Sequence, residues 1–204
     1  EKIPDGVPSM KFTPPAVTGL GFLAALTDQQ ILQYVDSLDV DGDGISGVPN
    51  YITPPAYFEQ KSIHQPVNGK IIGRFGKKAA AIDLLQQTVS AYNQDMGVTS
   101  TFEPIDPFSQ LSTDPEVSDQ TIRDVVFYLR TLKAPISRSE ENSQVLHGKA
   151  TFTEIGCVSC HIPEWTTPET DIKALSNKTF YPYTDLLLHD MGPGLDDGAT
   201  EGSA

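Results

Sequence analysis

The sequence predicts a mainly α fold with long Pro- and Gly-rich loops. Three observations carry this. Four segments repeat apolar residues at helical spacing and carry cap residues at their ends. No segment shows the sustained alternation of a strand-rich region. Gly and Pro number 16 each among 204 residues, so the connections between helices must be long.

Residues 1–26 read as Pro- and Gly-rich ordered coil. The first helix is TDQQILQYVDSL, residues 27–38. Thr27 is its N-cap, and Gln30 stands three residues on, where a capping box places its partner. Ile31, Leu32, Val35 and Leu38 form its apolar stripe. A second helix runs from Lys77 to Met96, with Ile82, Leu85, Val89 and Tyr92 inward and Gly97 as its stop. A third covers Ser118 to Leu132, with Ile122, Val125, Val126 and Leu129 inward, and Pro135 lies beyond its end. A fourth runs from Ser139 to Ile155. Residues 48–72 and 98–117 are irregular connections, and a short apolar run occupies Tyr183–Leu188.

The net charge is −13, which excludes nucleic acid, because a phosphate backbone needs clustered Lys and Arg. It also argues against an anionic membrane surface. No apolar run reaches the roughly 20 residues of a membrane span. Residues 1–15 lack the basic and apolar regions of a secretory signal, which fits a trimmed chain whose export signal lies upstream. The two cysteines sit in one motif, so the chain is no disulfide scaffold.

That motif is Cys157-Val158-Ser159-Cys160-His161, the attachment pattern of a c-type haem. Two thiols three apart can form thioethers with the two vinyl groups of one porphyrin. The adjacent imidazole then meets the iron, so His161 is the proximal ligand. Half a zinc site is the first alternative, but His64, His147 and His189 show no paired spacing and no second cysteine pair exists. A thioredoxin-like pair follows a strand and opens a helix, whereas here the motif follows a helix and precedes Pro163. Gly148 and Phe152 share a face of the lead-in helix. The glycine would let another helix cross closely, and the ring would cover a haem edge.

The second axial position has three candidates: Met191, His189, and either no protein ligand or one from elsewhere. Met191 is favoured, since a methionine suits electron transfer, and Met10 and Met96 read as core or loop residues. A second metal is expected at Asp39, Asp41 and Asp43. Their alternation before Gly44 matches the first half of a calcium loop, although Asn50 stands where an EF-hand has its bidentate Glu.

Several segments together resemble one family. They are GLGFLAAL, DGDGISGVPN, GRFGKKAA, AYNQDMGVTS, VVFYLRTLKAP, GCVSCH and YTDLLLHDMG, in that order. The chain resembles the di-haem oxidoreductases, also labelled thiol oxidoreductases, which are related to bacterial di-haem cytochrome c peroxidases. The resemblance implies a periplasmic or secreted protein with cytochrome c-like helices. It implies haem c held by Cys157, Cys160 and His161, with the HDMG segment bringing Met191 near the iron. The family carries two attachment motifs and this chain one, so a fragment is expected, with one haem and an electron-relay role. Lys77 stands in GRFGKKAA where the family usually has a tryptophan.

The expected layout is a region 1–135 that belongs to or joins a second haem module, then a haem-binding region 136–204. The expected partners are a redox protein or electron donor, and that second module of the same full-length protein. No catalytic residue is assigned. The competing readings are a calcium-stabilised envelope protein with a non-catalytic haem, and a thiol–disulfide enzyme using Cys157 and Cys160.

Overall fold

The computed structural model describes residues 14–195. Met10 and the first half of the expected N-terminal coil therefore lie outside the described residues. The architecture corrects the mainly α expectation. Helix accounts for 32% of the residues, and much of the core is built by loops and two short hairpins. The helices among the described residues are α1 (Leu20–Ala25), α2 (Asp28–Leu32), α3 (Leu84–Ser90), α4 (Asp119–Thr131) and α5 (Ser143–Glu154). Strand β1 (Tyr51–Ile52) pairs antiparallel with β2 (Ile71–Ile72), and β3 (Trp165–Thr166) with β4 (Thr179–Phe180).

The helices are shorter than their apolar patterns predict because side chains and turns capture the backbone. Thr27 and Gln30 make the expected capping box at the start of α2. The helix stops at Leu32, and from Asp36 the chain folds over on itself. Both Asp36 carboxylate oxygens accept the Val40 N–H at 2.9 Å, and Asp36 bridges to Gly47. Leu38, expected on the buried stripe, is exposed.

The helix expected from Lys77 starts instead at Leu84, with Asp83 as its N-cap. Lys78 and Ala79 take the left-handed backbone, at φ 53° and 50°. They turn the chain so that Phe75 bridges Ala81. The Ala79 carbonyl then comes so near Gly73 that a Cβ there would sit 1.8 Å from it. Gly97, at φ 68°, ends the following wide turn, as its sequence position predicts. The expected coil before residue 27 contains α1.

Helix α4 is the longest element and follows the sequence expectation closely. Ser118 caps it, and it packs on α1 and α3. Gly21 of α1 lies directly against the Arg130 carbonyl of α4, where a Cβ would come within 1.9 Å. Two segments thus cross at backbone contact. Beneath them Arg74 and Asp28 form a buried ion pair. The Arg74 guanidinium also donates to the Leu26 carbonyl at 2.6 Å, and the second Asp28 oxygen accepts the Gln65 N–H at 2.7 Å. Burial pushes the Asp28 carboxyl up, partly offset by the Gln65 N–H and Arg74.

The largest core cluster joins Leu26, Ile31 and Ile72 to Trp165, Phe180 and Leu186. Phe22 stacks on Phe180 at 5.1 Å between ring centres, and Tyr34 meets Trp165 edge-on at 5.0 Å. The β3–β4 hairpin is therefore fastened to α1 and α2, and it holds the segment that follows it. No helix among the described residues is long and apolar enough to cross a membrane.

Candidate haem site

Helix α5 delivers the Cys-x-x-Cys-His motif. Asn142 caps its start, and Gly156, at φ 84°, closes its end. Only glycine takes that backbone without steric cost, and it reverses the chain into a tight turn over Cys157–Ser159. The His161 N–H closes that turn on the Cys157 carbonyl at 2.9 Å. Cys157 and Cys160 are free thiols, both half-buried, and His161 is exposed. The three residues predicted from sequence thus share one turn.

The segment 183–191 lies along this turn as a strap. His161 Nδ1 sits 2.9 Å from the Tyr183 carbonyl. A carbonyl can only accept, so the imidazole proton is on Nδ1 and the Nε2 lone pair is free. The Asp185 N–H donates to the Cys160 carbonyl at 3.1 Å. Phe152 meets the Tyr183 ring edge-on at 5.6 Å and lies 6.0 Å from the His161 ring. Phe152 is thus beside the predicted ligand. Gly148 behaves otherwise than expected: a Cβ there would meet nothing within 4 Å. The close crossing belongs to Gly21.

His189 is committed elsewhere. Its Nδ1–H donates to the Ser46 carbonyl at 2.9 Å, and its Nε2 pairs with the Asp185 carboxylate at 2.7 Å. Neither nitrogen is left for a metal. Met191 is 64% exposed, which leaves its thioether without a protein pocket of its own.

The surroundings fit a porphyrin. Ile155, just before Cys157 in the chain, and Tyr183, whose carbonyl meets His161, are exposed, and α5 has no buried residue at all. A flat apolar group tethered at Cys157 and Cys160 would cover such a surface. The thiol chemistry points the same way. Burial pushes the Cys160 thiol up, and the Asp185 and Asp43 carboxylates add to the effect. A thiol–disulfide enzyme needs the opposite shift, toward thiolate.

The acidic loop stands next to the turn. Its ends are closed by the Asp36–Gly47 bridge, and Val48 bridges Leu188 of the strap. Asp36, Asp39 and Asp41 can each bring one carboxylate oxygen within 4.8 Å of the others. The set differs from the sequence expectation: Asp36 joins it, while Asp43 turns its carboxylate onto the Ile45 N–H at 2.8 Å. Asp36 falls outside the alternating pattern, so spacing gave no signal for it. The Tyr183 carbonyl is a backbone atom and leaves no mark in the residue type.

Comparison with known proteins finds one family. The model described as di-haem oxidoreductase, putative peroxidase matches residues 9–110 and 101–204, and the haem turn lies in the second stretch. No curated protein and no solved structure matches the chain. The match defines the class as a di-haem, peroxidase-like oxidoreductase. The chain belongs to the di-haem oxidoreductase family.

Proposed function

We propose that this chain is the electron-relay portion of an exported, peroxidase-like di-haem oxidoreductase, carrying one c-type haem at Cys157, Cys160 and His161. The observation that carries the reading is the His161 imidazole. Its Nδ1–H is spent on the Tyr183 carbonyl at 2.9 Å, and the exposed ring follows a half-buried thiol pair in the chain. An imidazole oriented in this way is a preformed iron ligand.

Haem, when bound, supplies one-electron chemistry between the ferric and ferrous states. The protein's contributions are separate. Cys157 and Cys160 fix the ring by two thioethers, and Phe152 and Tyr183 lie against the imidazole. Met191, with an exposed thioether, would supply the second iron ligand, since both nitrogens of His189 are engaged. The family description names two haems, and this sequence holds one Cys-x-x-Cys-His. The second haem is therefore assigned to another module of the same protein, the partner for electron transfer along with an external donor. Thioether attachment is tied to export, which supports a periplasmic or secreted location.

A calcium ion is proposed at Asp36, Asp39 and Asp41, whose converging oxygens suit a hard cation. Its role would be to brace the loop that bears on the strap. The proposal predicts a rise in Tm on adding calcium, reversed by chelator, and about 2.7 kcal/mol of stabilisation at a hundredfold excess over Kd.

The haem assignment is tested by exporting the chain together with a haem-attachment apparatus. The expected product is coloured, gives a c-type spectrum on reduction, and keeps its colour through acid–acetone extraction. Colourless protein with two alkylatable thiols overturns the assignment.

A further inference from the structure

The strap contains a carboxylate–imidazole pair, Asp185 and His189, whose ring also stands 3.8 Å from the Cys160 sulfur. Asp185 is buried, with 4% of its surface exposed. One of its oxygens accepts the Leu187 N–H at 3.0 Å, and the other holds His189 Nε2 at 2.7 Å. The opposite nitrogen of the same ring reaches across to the Ser46 carbonyl at 2.9 Å. One imidazole thus ties the strap to itself and to the acidic loop. Gly47 leaves room for it, since a Cβ there would stand 3.2 Å from the ring.

The strap needs such a tie. Tyr183 and Leu186 both occupy the left-handed region, at φ 53° and 64°. A bulky side chain in that region is strained, and the conformation persists only where its surroundings enforce it. Asp185 lies between the two. Trp165 Nε1–H holds the Thr184 carbonyl at 2.9 Å from the core side. His189 and Asp185 hold the other. The strained backbone at Tyr183 is what aims its carbonyl at His161 Nδ1.

We propose that Asp185 and His189 are positioning residues for the iron's proximal imidazole. They hold the Tyr183–Leu186 backbone in the form that presents a carbonyl to His161. The proposal rests on the haem assignment above. A hydrogen bond from Nδ1–H to a carbonyl raises the electron-donating strength of an imidazole and stabilises ferric iron. Releasing the strap should weaken that bond and raise the haem's reduction potential.

The test uses exported, haem-loaded protein and reads potential and Tm together. His189→Ala and Asp185→Asn should each raise the potential, while His189→Gln, which can still donate to Ser46, should recover part of the shift. Gly21→Ala, remote from the turn, should lower Tm and leave the potential alone. If His189→Ala does not fold, Asp185→Asn, which keeps the side-chain shape, decides. Variants that load haem and keep the wild-type potential, with only Tm reduced, overturn the positioning role and leave the haem assignment standing. A wild-type chain that binds no haem overturns both.

Discussion

The two ends of the helical inventory differ in how they satisfy their apolar surface. Helices α1 and α4 bury theirs against each other and α3, down to backbone contact at Gly21. Helix α5 is of similar length to α4, yet it buries no residue. Each contains a glycine with an aromatic nearby, and sequence reasoning gave the close crossing to Gly148. Only the neighbour distinguishes the two glycines. One region closes on protein along its inner face, with Phe127 and Tyr128 of α4 left exposed on its outer face. The other leaves a thiol pair, an imidazole and a set of apolar side chains facing outward, which is the surface expected of a cofactor seat.

Breaking the second region should have the largest effect. Replacing Cys157 and Cys160 together by Ser should abolish covalent haem entirely, measured as colour left after acid–acetone extraction. The fold of α1, α3 and α4 should persist by circular dichroism. In the first region, Arg74→Met leaves Asp28 buried without its partner. Losing one member of such a pair costs about 3–5 kcal/mol, which a denaturant titration would show. Next comes Gly21→Ala, where the new methyl must displace the Arg130 carbonyl. Overpacking of this kind costs about 1–3 kcal/mol, read as a lower Tm.

A pH scan separates the regions by another route. His64 is buried near Arg74 and Lys61, and desolvation first, then those charges, lowers it from 6.5 to about 4. The unfolded chain takes up this proton before the folded one. The contribution is therefore full above pH 6.5 and is lost as pH falls toward 4, by up to about 1.4 kcal/mol per pH unit. His64→Gln should flatten that part of the stability curve. The smallest effect sharpens the comparison most. Gly148→Ala meets nothing within 4 Å, so it should stabilise α5 by about 0.5–1 kcal/mol. A loss of stability there would mean that another helix packs on that face.

The turn over Cys157–His161 was legible because its residues are adjacent in the chain. The cap at Thr27 and the stop at Gly97 were legible for the same reason: both act within one turn of chain. What the sequence misjudged was helix length. The stripe from Ile31 to Leu38 has the right period, but the Asp36 N–H that would have continued the helix goes to the Gly47 carbonyl at 3.2 Å. The run from Lys77 has good helix formers, yet Lys78 and Ala79 go left-handed because Gly73 admits the Ala79 carbonyl. These are contests between local propensity and partners several residues or more away. The strap is the extreme case, since His161 depends on a carbonyl 22 residues downstream.

The tie between Ser46 and His189 closes a loop of 143 residues. Contacts of such sequence separation form late, because the chain entropy of so large a ring is surrendered only once most of the fold exists. On a chain emerging from an export channel, the cysteine turn would therefore be reachable well before its latch has shut. On the proposed haem assignment, timing built into topology would give an attachment enzyme an open window, and completion of the fold would then seal the product in place.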